Sequence, residues 1–180
     1  LVPAIVLSLA AALFVRWCSP VEGAAFFLLG PGLGVPLALL VGLALGVLVP
    51  GARLATTLAA LTPIAATLLG LWRFYSTPAI YSYAHFVGYF PGTLYDPDVE
   101  ISGEYLTFRL LTLVWGLALA QVALVLRDPR TGRVSVASAR THAGVVLGAI
   151  VLVIAGLSGE AYGPELGHRS TAASIRAALG

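Results

Sequence analysis

YLTFRLLTLVWGLALAQVALVL, residues 105–126, decides which solvent this chain folds in. Its 22 residues contain one charged side chain, Arg109 near the start, and one strong internal hydrogen-bonding group, Gln121. As a helix rising 1.5 Å per residue it is about 33 Å long, enough to cross a hydrocarbon layer of about 30 Å. The rest of the chain has the same character. Of 180 residues, 59% are hydrophobic and 10% charged, and mean hydropathy is +0.95, whereas soluble domains carry about 25% charged residues. The expected fold class is therefore an all-α membrane protein.

Working outward, further apolar runs lie at 1–15, 24–49, 54–71 and 143–157, giving about five transmembrane helices in one polytopic domain, 1–180. The second run contains Pro31, Gly32, Gly34 and Pro36, which predict a broken or kinked start. Such a break needs protein or water to satisfy its backbone. Pro63 interrupts the third run. Leu1 falls inside apolar sequence, and ASIRAALG at 173–180 reads as an interrupted helix. Both ends predict a longer protein, with a continuation domain beyond Gly180 as one expectation.

Charge gives an orientation. The chain has ten arginines and no lysine, and basic residues collect in short cytoplasmic loops. The segment RDPRTGRVSVASAR, 127–140, carries Arg127, Arg130, Arg133 and Arg140 against Asp128; with Arg53 its side is net +4. The opposite side, with Arg16, Arg73, Arg109, Arg169 and Arg176 against seven acidic residues, is net −2. The arginine loop is expected in the cytoplasm of a bacterial inner-membrane protein, with 72–104 and the tail, 158–180, outside. Besides setting topology, the loop's arginines suit anionic lipid headgroups. No basic block stands beside stacking aromatics, which argues against a nucleic-acid partner. Cys18 is the only cysteine, so an internal disulfide and a cysteine metal cluster are excluded.

Small-residue spacing appears at Gly42 and Gly46 and again at Gly144 and Gly148, a pattern that lets helices approach closely. The expected use is packing, within the chain or against other membrane subunits. Thr56, Thr57, Thr62, Thr67, Thr112 and Gln121 are the polar residues deep in the spans. With no acidic, lysine or histidine residue near a span centre, a proton-driven pathway has little support.

The region 72–104 is expected to form an extracytoplasmic cap. Together with the next four residues it holds eleven of the seventeen Phe, Tyr and Trp residues, and such rings favour the membrane–water boundary. Thr77 and Pro78 predict a helix start and Pro91 and Gly92 its end. Tyr81, His85 and Tyr89 would share one face of that interfacial helix. Beyond it, Asp96, Asp98, Glu100 and Glu104 place four of the eight carboxylates within nine positions. If 96–100 is extended, the first three point the same way, an arrangement three oxygen ligands of a hard cation could use. Their spacing is not that of an EF-hand, and HExxH is absent. Ser102 is positioned to cap the following helix, with Glu104 in its first turn.

The expected function is a non-catalytic anchoring or scaffold subunit of a larger membrane assembly. Its partners are membrane lipid and other membrane subunits, and Arg73, Tyr81, Tyr89, Glu104 and Arg109 are the ligand or interface candidates. One alternative is an interfacial enzyme acting on a lipid-like substrate. There His85 is base or metal ligand, Asp96, Asp98 and Glu100 (with Glu104) hold a cation or tune the site, and Arg73 or Arg109 grips an anionic group. GLSGE around Ser158 lacks the strand-to-helix setting of a nucleophile elbow. The other alternative is a small-solute transporter, with the breaks at 30–36 and Pro63. No motif specifies a cofactor.

Overall fold

The computed structural model describes residues 20–76, 82–90, 101–125, 127, 128, 132, 135 and 142–168. The helices are α1 (Pro20–Leu29), α2 (Pro31–Leu48), α3 (Ala52–Ser76), α4 (Gly103–Val125) and α5 (Ala143–Ala161), with strands β1 (Ser82–Ala84) and β2 (Gly88–Phe90) between α3 and α4. Four helical stretches are long and apolar enough to cross a membrane: Val21–Leu48, in which α1 and α2 run on, Ala52–Ser76, Gly103–Val125 and Ala143–Ala161. These coincide with four of the five expected spans. The remaining one, 1–15, lies outside the described residues, as do Cys18, Tyr81 and 91–100 with Asp96, Asp98 and Glu100.

The break between α1 and α2 falls where the prolines and glycines put it. Pro31 has no N–H and takes the first position of α2, while Gly30 before it has left helical geometry, with φ −79° and ψ −96°. Its amide still donates to Phe26 O at 2.7 Å and its carbonyl accepts from Gly34 N–H at 2.9 Å. The two bonds of Gly30 therefore bridge the break, where Pro31 leaves one helical bond unmade. Pro36 and Pro63 remain inside α2 and α3.

The helices pack as a row in the order α3, α2, α4, α5, and the α4–α5 contact is the largest. In lipid the apolar side chain gains little by leaving its solvent, so close packing must hold helices together. Glycines of α5 supply it. A Cβ at Gly156 would sit 2.8 Å from Cε2 of Trp115, one at Gly159 2.6 Å from Leu111, and one at Gly148 3.2 Å from Gln121 Oε1. α5 thus presents a notched edge to the bulky face of α4, running antiparallel. On the other side of α4, Gly116 admits Leu40 of α2. α4 consequently carries most of the buried core, including Tyr105, Phe108, Leu111 and Ala118, whereas the large apolar side chains of α3 and α5 are mostly exposed.

The expected interfacial helix is not formed. Its central part is an antiparallel hairpin that pairs Ser82 with Phe90, Tyr83 with Tyr89 and Ala84 with Gly88. The reason is local. Gly88 adopts φ +100°, a left-handed backbone that closes a tight hairpin loop and has no place in a helix. The rings of Tyr83 and Tyr89 face each other across the strands with centroids 5.6 Å apart, a pairing worth about 0.2–1 kcal/mol. The fold is therefore helical with a small β element, and not purely α.

Candidate functional site

The hairpin is pinned between α2, α4 and α5 at one end of the row. Gly34 lies so close to the Phe86 carbonyl that any Cβ would overlap it, which lets the hairpin tip rest on α2. Arg109 supplies the strongest tie. It projects from α4 six residues after that helix begins, and only 1% of its surface is exposed. Its Nε–H donates to Tyr105 Oη at 3.2 Å, Nη1 to His85 O at 3.0 Å and Ala84 O at 3.4 Å, and Nη2 to Gly30 O at 3.3 Å. One guanidinium thereby joins the α1–α2 break, the hairpin loop and its own helix. Its carbon also lies 5.4 Å from the centre of the Tyr105 ring, within cation–π range. Gly88 is required here for space as well as for φ, since a Cβ would overlap Nη2.

His85 sits at the hairpin tip, stacked on Phe108 at 4.5 Å and 16°. Nδ1 is 2.9 Å from Thr112 Oγ1 and Nε2 is 2.7 Å from Glu160 Oε1. The Thr112 hydroxyl donates to Phe108 O at 3.1 Å, so its lone pair is free to accept Nδ1–H. Whichever ring nitrogen carries the proton, the imidazole bridges Thr112 of α4 and Glu160 of α5. The two side chains are 23% and 28% exposed, so the pair borders solvent while its Thr112 anchor does not. Thr112 is 2% exposed, which closes its oxygen to a substrate carbon and separates this trio from a nucleophilic triad.

Around this cluster, Ser102 accepts the Tyr105 N–H at 3.2 Å and pairs with Tyr83 Oη at 3.2 Å, capping α4 and tying it to β1 together. Thr107 donates to Glu104 O at 2.9 Å and its oxygen meets His168 Nε2 at 2.9 Å; the His168 ring stands edge-on to Phe108 at 5.5 Å. Glu104 is exposed in the first turn of α4, Arg73 in the last turn of α3, and Tyr89 in β2 packs among Phe26, Tyr83 and Tyr105. Among the described residues no three His, Cys, Asp or Glu side chains come close enough to hold a metal ion.

The structure therefore separates the sequence candidates. His85 meets Glu160 and Thr112, two residues that sequence reasoning did not assign to it, and with 75 positions between His85 and Glu160 no local pattern could have found the pair. Arg109 faces protein oxygens and is closed to an external anion. Among the glycines, Gly42 lies 3.9 Å from Ala59 by its built Cβ and Gly148 meets Gln121, whereas Gly46 and Gly144 face open space. Gly156 and Gly159 carry the α4–α5 seam instead. No family model, curated protein or solved structure matches the chain.

Proposed function

We propose that this chain is a non-catalytic anchoring or scaffold unit of a larger assembly in a bacterial inner membrane, with the 127–140 loop in the cytoplasm and the hairpin outside. The observation that carries this reading is the use made of the polar groups at the hairpin end. Arg109, His85, Thr112 and Ser102 direct their bonds into the fold, where they fix the hairpin to α4 and to the α1–α2 break. What the helix row presents outward is mainly apolar, with Leu61 and Leu68 of α3 and Leu147 and Ile154 of α5 at least half exposed. Rigid polar end and apolar flanks suit a unit that positions other chains in the bilayer.

The test is site-specific photo-cross-linking in native membranes from Leu61, Leu68, Leu147 and Ile154. The expected result is one discrete, stoichiometric protein adduct from α3 or α5 that disappears when the contacted face is changed to alanine. Cross-linking to lipid alone, with a purified chain that stays monomeric in mild detergent, refutes the proposal.

A second reading is favoured by the partial exposure of the His85–Glu160 pair: an interfacial enzyme in which the pair moves a proton on a membrane-associated substrate. Incubation of the reconstituted chain with labelled membrane lipid extract tests it. Turnover lost in both His85→Gln and Glu160→Gln supports an enzyme, and identical products from wild type and both variants exclude it.

A further inference from the structure

Beside the hairpin, at the α1–α2 break, lies a cavity of about 290 Å³ bounded by Phe26, Gly30, Pro31, Val87, Tyr89 and Tyr105. Its floor, Gly30 and Tyr105, is buried, and its rim, Pro31 and Val87, is exposed. We propose that this cavity seats the acyl chain of a membrane lipid from the leaflet on the hairpin side. This inference is independent of the scaffold proposal, since it requires no protein partner.

The chemistry of the walls selects the ligand. An anion meets no charged donor among the lining residues, because Arg109 is 1% exposed and lies behind Tyr105 and Gly30, to which it donates. A cation fares worse. The Arg109 charge stands 5.4 Å from the Tyr105 ring centre, so the ring that would attract a second cation already holds one, and like charges repel. A polar neutral group finds the Tyr105 hydroxyl engaged by Arg109 Nε–H. Carbon remains as the complementary surface, offered by three aromatic rings, Pro31 and Val87.

Position supplies the source. The cavity interrupts the membrane-length stretch Val21–Leu48, and Leu28 and Val35 on either side of the break are exposed. The opening is thus continuous with a lipid-facing surface. A chain carbon occupies about the volume of a water molecule in liquid, roughly 30 Å³, so the space admits on the order of ten carbons. That length is a substantial part of one acyl chain and too small for a whole lipid.

The probe is a phosphatidylcholine carrying a diazirine midway along one acyl chain, present at low mole fraction in phosphatidylcholine vesicles containing the full chain. After irradiation and digestion, adducts on Gly30–Pro31 and Val87–Tyr89 are expected at about fivefold the density found on the exposed face of α3, the ratio that a preference of about 1 kcal/mol produces. Val87→Trp, at a position 51% exposed, fills the mouth and is expected to reduce this labelling to the α3 level while α3 labelling stays constant. Free dodecanol is expected to do the same in the unmutated chain, which keeps the test valid should the tryptophan variant misfold. Equal labelling of cavity and α3, labelling insensitive to both treatments, or replacement of lipid adducts by a cross-link between two copies at Val87 overturns the proposal.

Discussion

Replacing Arg109 with methionine removes the tie on which the hairpin end depends while retaining much of the volume of the side-chain stem. Two opposing terms set its size. The fold no longer desolvates a guanidinium that has no carboxylate partner among the described residues, which favours the variant. Against this, the His85 and Ala84 carbonyls lose donors at 3.0 and 3.4 Å, and the Tyr105 hydroxyl loses one at 3.2 Å. Gly30 O keeps its bond from Gly34 N–H at 2.9 Å, so it contributes least. Leaving a buried acceptor unmet costs about 1–3 kcal/mol. With one strong loss and two weaker ones, the net destabilisation is expected at about 2–4 kcal/mol. Lysine should recover under half, because an ammonium cannot reproduce a planar fork reaching three segments. Hydrogen exchange on the chain in lipid nanodiscs reads the effect where it arises: protection of Gly88–Phe90 should fall by a factor of at least ten, with the α4–α5 seam nearly unchanged. If Arg109→Met keeps hairpin protection and melts no earlier than wild type, the carbonyls have other donors and the reasoning fails.

Gly156→Val forces a side chain into the Trp115 ring and should cost about 1–3 kcal/mol as overpacking; thermal melting in detergent should show partial rescue when Trp115→Leu is added. Glu160→Gln should loosen the hairpin by no more than about 1 kcal/mol, because the pair is partly solvated, detectable as faster exchange at Phe86 without a change in the melting of the helix row. Gln121→Leu should be neutral or stabilising by about 1 kcal/mol, since the buried Gln121 Oε1 has no hydrogen-bond partner among the described residues and an apolar group of similar shape removes that penalty; a lower melting temperature would show that the amide is satisfied in the membrane.

The four described spans were legible because length and apolar content suffice to specify a membrane helix, and the Gly30–Pro31 break because proline and glycine act on their own backbone. The hairpin was not. Tyr81, His85 and Tyr89 recur every four residues, which fits one helical face, but the same stretch holds a turn at His85 and Tyr89 in the returning strand. Gly88 was the sign that separates the two, and its weight depended on a φ that sequence does not print. The site was less legible still. His85 was recognised as a candidate, yet Thr112 read as a span hydroxyl and Glu160 as part of a tail, because their meeting depends on the antiparallel register of α4 and α5. That register is set by Gly156 and Gly159, of which Gly156 continues the four-residue spacing of Gly144 and Gly148 two steps on and Gly159 departs from it.

The two ties on the hairpin also differ in when they can form. Every group that Arg109 holds, from Gly30 to Tyr105, precedes it in the chain, whereas Glu160 follows His85 by 75 residues. At ribosomal rates of about 5–20 residues per second, Glu160 is synthesised roughly 4–15 s after His85. During most of that interval the nascent hairpin has Arg109 as its potential clasp and no α5 beside it. The order of synthesis thus makes the partners of the arginine tie available before the carboxylate of the last helix exists.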